Sequence, residues 1–220
     1  MRPPEPISCP SCGAPAPFRG TAVSLVCEFC TTTIVRSGVD VRMVGKVSAI
    51  LDTGSPILLN AQGRHENSPF EVVGRLQVQY QRGTWNEWYI NFADGSVGWL
   101  SDAQGSYSIV RPKDPKIVRD QVPVYSKVSV GRALTVAGIR VIAVDCRAAS
   151  YQGAEGSLPF EAEPGMTFYG IDLRGEQGEF VTLDYANSAD HSRPTPYIGA
   201  SVRLPALELR PIRKFEGWDD

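Results

Sequence analysis

Apolar and polar positions alternate with a period of two over most of this chain, in short runs cut by Gly, Pro, Asn and Asp. Such alternation sends successive side chains to opposite faces of a strand. The runs "EVVGRLQVQYQ", "WNEWYINF", "SVGWLS", "YSIVR", "IRVIAVDCRA", "TFYGIDL", "EFVTLDY" and "SVRLPALEL" are therefore predicted strands, and only "LSDAQG" and a few loops have room for a helical turn. The pattern predicts a mainly β protein: an N-terminal four-cysteine zinc ribbon followed by one or two small antiparallel β-barrel units of SH3-like size. The expected division is 1–38 for the ribbon, 39–115 for a first β unit, and 116–220 for a second β unit with a C-terminal tail. "RPKDPKIVRDQVP" reads as the connection between the β units, having three prolines among mixed charges. "FEVVGRL" and "NFADGSVGWL" resemble "IRVIAVD" and "DLRGEQGEFVTLDY", a hint of internal duplication compatible with two related small barrels or one continuous sheet.

The densest run is "WNEWYINFADGSVGWL", Trp85 to Leu100, with three Trp, one Tyr and one Phe. A turn at Arg82-Gly83 would set Tyr80 opposite Trp85, Val78 opposite Glu87 and Leu76 opposite Tyr89. A two-residue turn at Asp94-Gly95 would set Phe92 opposite Val97 and Ile90 opposite Trp99. One face then carries Leu76, Val78, Tyr80, Trp85, Tyr89 and Leu100, with Glu87 among them. The other carries Trp88, Ile90, Phe92 and Trp99. Two apolar faces demand cover on both sides or an exposed platform, and the ribbon and the C-terminal half are the expected covers. Trp88, Trp99, Phe92 and Trp85 are accordingly the candidate partner-binding residues. Glu87 needs a donor, expected from Arg75 or Arg82, and the pattern places no second carboxylate beside it.

The cysteines carry the sharpest signal. "CPSC" (Cys9, Cys12) and "CEFC" (Cys27, Cys30) are two CxxC turns separated by fourteen residues. Facing each other, they supply four thiolates in the tetrahedral arrangement that zinc prefers. Gly13 helps the first turn fold back, and "TAVSLVCEF" and "TTTIV" read as ribbon strands. A full set of four thiolates leaves no open coordination position, so one structural zinc ion is expected.

Other residues offer less. Cys146 reads as a buried thiol at a strand end, and His65 and His191 stand in polar loops without a motif. Asp184 lies on the strand face opposite Val181, Leu183 and Tyr185, which reads as an outward carboxylate that is solvated or closes a turn. Asp172 would approach it if the two strands paired. Leu158 and Phe160 in "GSLPFEAEPG" look like an apolar pair docking into the protein's own core, and Phe215 and Trp218 sit on a charged tail.

The charge is flat: net +1 over residues 1–45, −1 over 46–115 and −2 over the remainder. That argues against a phosphate-backbone partner. No run of about eighteen apolar residues appears, so membrane insertion is not expected. "MRPPEPISCP" lacks a basic-then-apolar signal pattern, so the expected location is cytoplasmic. Nucleotide-binding, serine-nucleophile and metalloprotease motifs are absent.

"VVGRLQVQYQRGTWNEWYINFADGSVGWLSDAQGSY", with "EGSLPF", "GEFVTLDY" and "PYIGASVRL" downstream, resembles a bacterial family catalogued as domain of unknown function 4178, over roughly residues 46 to 210. The resemblance implies a β-rich cytoplasmic module and no assigned catalytic residues. It also implies association with membrane-stress coiled-coil proteins, channel-like membrane proteins and polyamine-metabolism enzymes. The resulting expectation is a non-enzymatic zinc-ribbon/β-barrel adaptor or scaffold for a protein partner, which could itself be membrane-associated. The alternatives are a nucleic-acid-binding module and an enzyme built on Asp172, Asp184 or Glu87.

Overall fold

The structure, a computed structural model, describes residues 7–37, 40–46, 50–118, 121–186 and 190–215. The alternating runs form strands. The ribbon contributes β1 (Ser24–Val26), β2 (Thr32–Ser37) and β3 (Asp40–Lys46), and β4 (Gln62–His65) follows. A first meander comprises β5 (Ser68–Tyr80), β6 (Gly83–Phe92), β7 (Val97–Ala103) and β8 (Ser106–Pro112). After β9 (Ala133–Val136), a second meander comprises β10 (Ile139–Leu158), β11 (Thr167–Arg174), β12 (Glu179–Asp184) and β13 (Thr195–Val202). Three single-turn 3-10 segments are the helical elements among the described residues.

The two meanders do not close separately. The last strand of one pairs with the last of the other, β8 with β13, and the first strands β5 and β10 also pair, all antiparallel. The ring β5-β6-β7-β8-β13-β12-β11-β10 returns to β5 and forms one eight-stranded barrel. The expected boundary near residue 115 therefore falls between two halves of one barrel. The segments alike in sequence are equivalent strands: β5 and β10 open the meanders, and β6–β7 and β11–β12 are their central hairpins.

Closure depends on glycine at both seams. Gly74 on β5 faces Gly156 on β10, and Gly199 on β13 faces Val110 on β8. A Cβ at Gly74 would overlap the Ser157 carbonyl oxygen, and one at Gly199 would overlap that of Ile109. Gly156 has φ +68°, and a Cβ there would overlap the Val73 carbonyl oxygen.

Both outer faces are covered by the segment preceding each meander. Ile57 and Ala61, with Leu207 and Leu209 from the C-terminal region, bury Trp88, Ile90, Phe92, Leu100 and Ile109. Gln77 fixes that covering strap through paired hydrogen bonds with the Leu51 backbone, at 2.8 and 2.9 Å. On the second meander, Val118, Val128 and Val136 pack on Ile171, Leu173, Val181 and Leu183. The proline-rich connection is thus partly a cover, with Val118 only 1% exposed. The C-terminal half covers the hairpins as the sequence suggests, with Tyr151, Leu158 and Phe168 on the inner face and Leu207 and Leu209 on the outer, while the strap takes most of the outer cover expected of the ribbon, which contributes Val26.

Two expected registers shift. In β5–β6, Val78 pairs with Trp85 and Leu76 with Glu87, a slip of two that leaves the faces unchanged. In β6–β7, Tyr89 pairs with Trp99 and Trp88 with Leu100. The hairpin loop there has three residues, Ala93 to Gly95, not two. Gly95 N–H donates to Phe92 O at 3.0 Å, Phe92 N–H to Ser96 O at 2.8 Å, and Gly95 has φ +83°. A one-residue slip exchanges the faces, so Trp99 joins Tyr89 inside the barrel and Leu100 joins Trp88 outside.

The seams yield a stability test. Gly74→Ala and Gly199→Ala each force a methyl group against a neighbouring strand's carbonyl, and each is expected to cost at least about 1–3 kcal/mol in denaturant unfolding. Gly105→Ala, in a β7–β8 turn with no heavy atom within 4 Å of its would-be Cβ, tests conformational strain without collision and is expected to cost less. Equal costs at seam and turn would refute the closure argument.

Candidate functional site

Strand alternation points a defined set of side chains into the barrel. From the first meander come Leu76, Val78, Trp85, Glu87, Trp99, Ser101 and Val110. From the second come Arg147, Tyr151, Phe168, Asp172, Thr182, Asp184 and Tyr197. They enclose a lumen of about 120 Å³. It shares Trp85, Ser101, Asp145, Arg147, Asp172 and Phe180 with a vestibule of about 340 Å³ at the end formed by the β5–β6 and β7–β8 turns. Phe160 enters from the stretch after β10, its ring 6.2 Å from Trp99 and 5.6 Å from Tyr151. Leu158 and Phe160 thus dock inward, as their sequence context predicts.

The lumen is aromatic and acidic. Glu87 Oε1 accepts from Trp85 Nε1 at 2.7 Å and from Ser101 Oγ at 3.0 Å. Its Oε2 receives no hydrogen bond from the described residues. The expected partner Arg75 lies on the outer face, where it bonds Asn86 Oδ1 at 2.8 Å and sits over the Trp88 ring. Asp172 Oδ1 accepts from the Thr182 hydroxyl at 2.7 Å, and Asp184 Oδ1 from the Ala186 N–H at 2.8 Å. Asp184 is therefore not an outward carboxylate. Val181, Leu183 and Tyr185 face the outer cover, and the alternation turns Asp184 inward. β11 and β12 do pair, with Asp172 beside Thr182 and Gly170 beside Asp184.

Burial pushes the Glu87 carboxyl up to about 7, against the Trp85 and Ser101 hydrogen bonds, with the Asp172 charge adding to the rise. Burial likewise lifts Asp172 to about 6, against the Thr182 bond and with help from Asp145. Asp184 is raised for the same first reason. Arg147 pairs with Asp145 and lies over the Tyr80 ring, 4.1 Å from its centroid.

The sequence brings Asp172 towards Asp184 through a possible strand pairing but offers nothing to join Glu87 to them. Arg147, Tyr151, Phe168 and Tyr197 were missed, because their convergence depends on the β5–β10 and β8–β13 seams. Trp88 and Phe92, 2% and 4% exposed, are core residues under the strap, whereas Trp85 and Trp99 face the lumen. Cys146 packs against the second outer cluster, and His191 lies on the Tyr169 ring at 4.1 Å. Phe215 is described; Trp218 lies outside the described residues.

A second site lies in the ribbon. Cys9 Sγ is 3.6 Å from Cys30 Sγ, and Cys12 Sγ is 3.7 Å from Cys27 Sγ. All four sulfurs lie within 4.8 Å of one another, close enough to bind one metal ion. The knuckles are tight: Gly13 N–H donates to Cys9 O at 2.8 Å with Gly13 at φ +77°, and Thr31 N–H donates to Cys27 O at 2.9 Å. Cys30 Sγ also lies 3.3 Å from the Thr32 hydroxyl, which steadies the second knuckle. β1 pairs with the end of β10, Ser24 beside Leu158 and Val26 beside Gly156, so the ribbon is joined to the barrel wall.

The raised carboxyls predict a pH effect. Glu87 and Asp172, at about 7 and about 6 in the fold, keep protons that the unfolded chain, at 4.5 and 3.8, releases earlier. Their contribution to stability is full below the unfolded values and declines as pH rises through 6 and 7. Glu87→Gln removes the Glu87 part, so its melting temperature should gain on the wild type between about pH 5 and 8. A pH-independent difference would refute the buried-acid assignment.

No curated protein and no solved structure matches the chain. Residues 59–203 match the family model described as Domain of unknown function (DUF4178). That span begins in the strap and ends just after β13, taking in the whole barrel and leaving out the ribbon. The chain belongs to the DUF4178 family, and the closed barrel is its family domain.

Proposed function

We propose that this protein is a non-enzymatic small-molecule-binding barrel carrying a structural zinc ribbon. The observation that carries the reading is the lumen: a cavity of about 120 Å³, walled by Trp85, Trp99, Tyr151, Phe168 and Tyr197, opening into a vestibule. Closed eight-stranded barrels have interiors wide enough for one small ligand, and a cavity of roughly 150 Å³ admits a benzene-sized molecule. Apolar walls with a few convergent polar groups are the usual composition of a ligand site.

The aromatic set first read as a docking platform supports this reading better. Trp88 and Phe92 are sealed under the strap, and Trp85 and Trp99 turn inward. A protein partner, the role expected from the sequence, would sense the ligand through the outer surface of the same barrel.

The ribbon metal is assigned to zinc on donor chemistry. Four thiolates form a closed soft-ligand set, and the 3.6 and 3.7 Å sulfur separations match the roughly 3.8 Å edge of a tetrahedron with ~2.3 Å Zn–S bonds. The ion would anchor the two knuckles beneath β1, where the ribbon meets β10.

Elemental analysis of purified protein should give one zinc per chain, lost in the Cys9→Ser, Cys12→Ser double variant; wild-type protein free of metal overturns the zinc assignment. A metabolite library screened by thermal shift should contain ligands that raise the melting temperature and alter Trp85 and Trp99 fluorescence. Gly170 lines the lumen with one side-chain atom within 4 Å of its would-be Cβ, so Gly170→Leu should fill the space and abolish the response. Ligands that bind Gly170→Leu as well as wild type would overturn the lumen as the site.

A further inference from the structure

The lumen also carries information about the charge of its ligand. Four carboxylates line it, those of Glu87, Asp145, Asp172 and Asp184, against one guanidinium, that of Arg147. Arg147 is committed: it pairs with Asp145 and lies over the Tyr80 and Trp85 rings near the vestibule. Arg174, at the vestibule, is exposed and lies 5.8 Å from the Phe180 ring centroid. Glu87 Oε2, Asp172 Oδ2 and Asp184 Oδ2 accept no hydrogen bond from the described residues, whereas the other oxygen is bonded within the barrel wall for Glu87 and Asp172 and by the Ala186 N–H, in the turn after β12, for Asp184. Three half-buried carboxylates are thus each held by one oxygen and can accept from a ligand with the other.

The walls are independent of this acidity. Trp85, Trp99, Phe168 and Tyr197 offer faces that attract a cation and apolar surface for a hydrocarbon chain. A neutral apolar ligand would leave the carboxylate oxygens unpaired, and an anion would meet repulsion from them. A primary ammonium supplies three N–H donors and the compensating charge.

We infer that the lumen binds a primary alkylammonium ion, its head among Glu87, Asp172 and Asp184 and its chain against the aromatic walls. The inference rests on the lumen being a ligand site and specifies the class of ligand. A bound ammonium favours the ionised carboxylates, so it is taken up with release of protons. Glu87 is faced by Asp172 on β11, Asp184 on β12, Tyr197 on β13, and Asp145, Arg147 and Tyr151 on β10. Arg147 is the one cation among them, so the site gains affinity as the acids ionise between about pH 5.5 and 8.

Three probes of one size test it by isothermal titration calorimetry on the full chain: n-butylammonium, n-butanol and butyrate. The expected result is binding of n-butylammonium at least about tenfold tighter than n-butanol, with no binding of butyrate. Near pH 6.5 its apparent enthalpy should change with the ionisation enthalpy of the buffer. Glu87→Gln and Asp184→Asn should each weaken n-butylammonium and leave n-butanol unchanged. Equal binding of n-butylammonium and n-butanol overturns the charge assignment and leaves the lumen as a site for neutral ligands. Preference for butyrate, or failure of n-butylammonium to bind while other compounds bind in a Gly170-dependent way, also overturns it. If no compound of any charge occupies the lumen, the binding-barrel reading falls as well.

Discussion

Closing one barrel from two meanders is the constraint on which the rest of this structure depends. Each meander alone is an open four-stranded sheet with two edges; β4, β9 and β1 pair the ends of β5 and β10, and the other half of the barrel pairs the middle of that edge and the whole of the opposite one. The seams bring backbones so close that Gly74, Gly156 and Gly199 have no space for a side chain. Once closed, the ring has an inside and an outside, and every strand residue is committed to one or the other.

That commitment explains why both faces of the strands are apolar. The outside is core because the straps before each meander lie over it, with Ile57 and Ala61 on one half and Val118 and Val128 on the other. The inside is lined by aromatic rings and carboxylates that water cannot fully solvate. Burial raises Glu87 and Asp172 as a consequence, because their wall hydrogen bonds compensate only part of the lost hydration. The chemistry of the lumen follows from closure, not from a local motif.

The ribbon is organised differently. Its geometry is local: two knuckles, each a tight turn, bring four thiols together without help from the barrel. Its attachment is not local, since β1 extends the sheet at the end of the long strand β10, and Thr21 Oγ1 lies 3.4 Å from the Tyr89 hydroxyl at the barrel wall.

The sequence alone determined what depends on neighbours along the chain. The Cys9, Cys12, Cys27 and Cys30 cage, the strand periodicity, the inward docking of Leu158 and Phe160 and the likeness of the two halves were all legible there. So was the need to cover both faces of the aromatic hairpins. Tertiary structure decided which face was which. A three-residue loop at Ala93–Gly95 moved Trp99 inside, a change of one residue that periodicity cannot resolve. Asp184 read as solvent-facing because Val181, Leu183 and Tyr185 looked like the only core, whereas those residues sit under a strap and the acid faces the lumen. Asp172 and Asp184 share the local β11–β12 hairpin, but Glu87 joins them only because β5 meets β10 and β8 meets β13, pairings between residues far apart in sequence that leave no local trace.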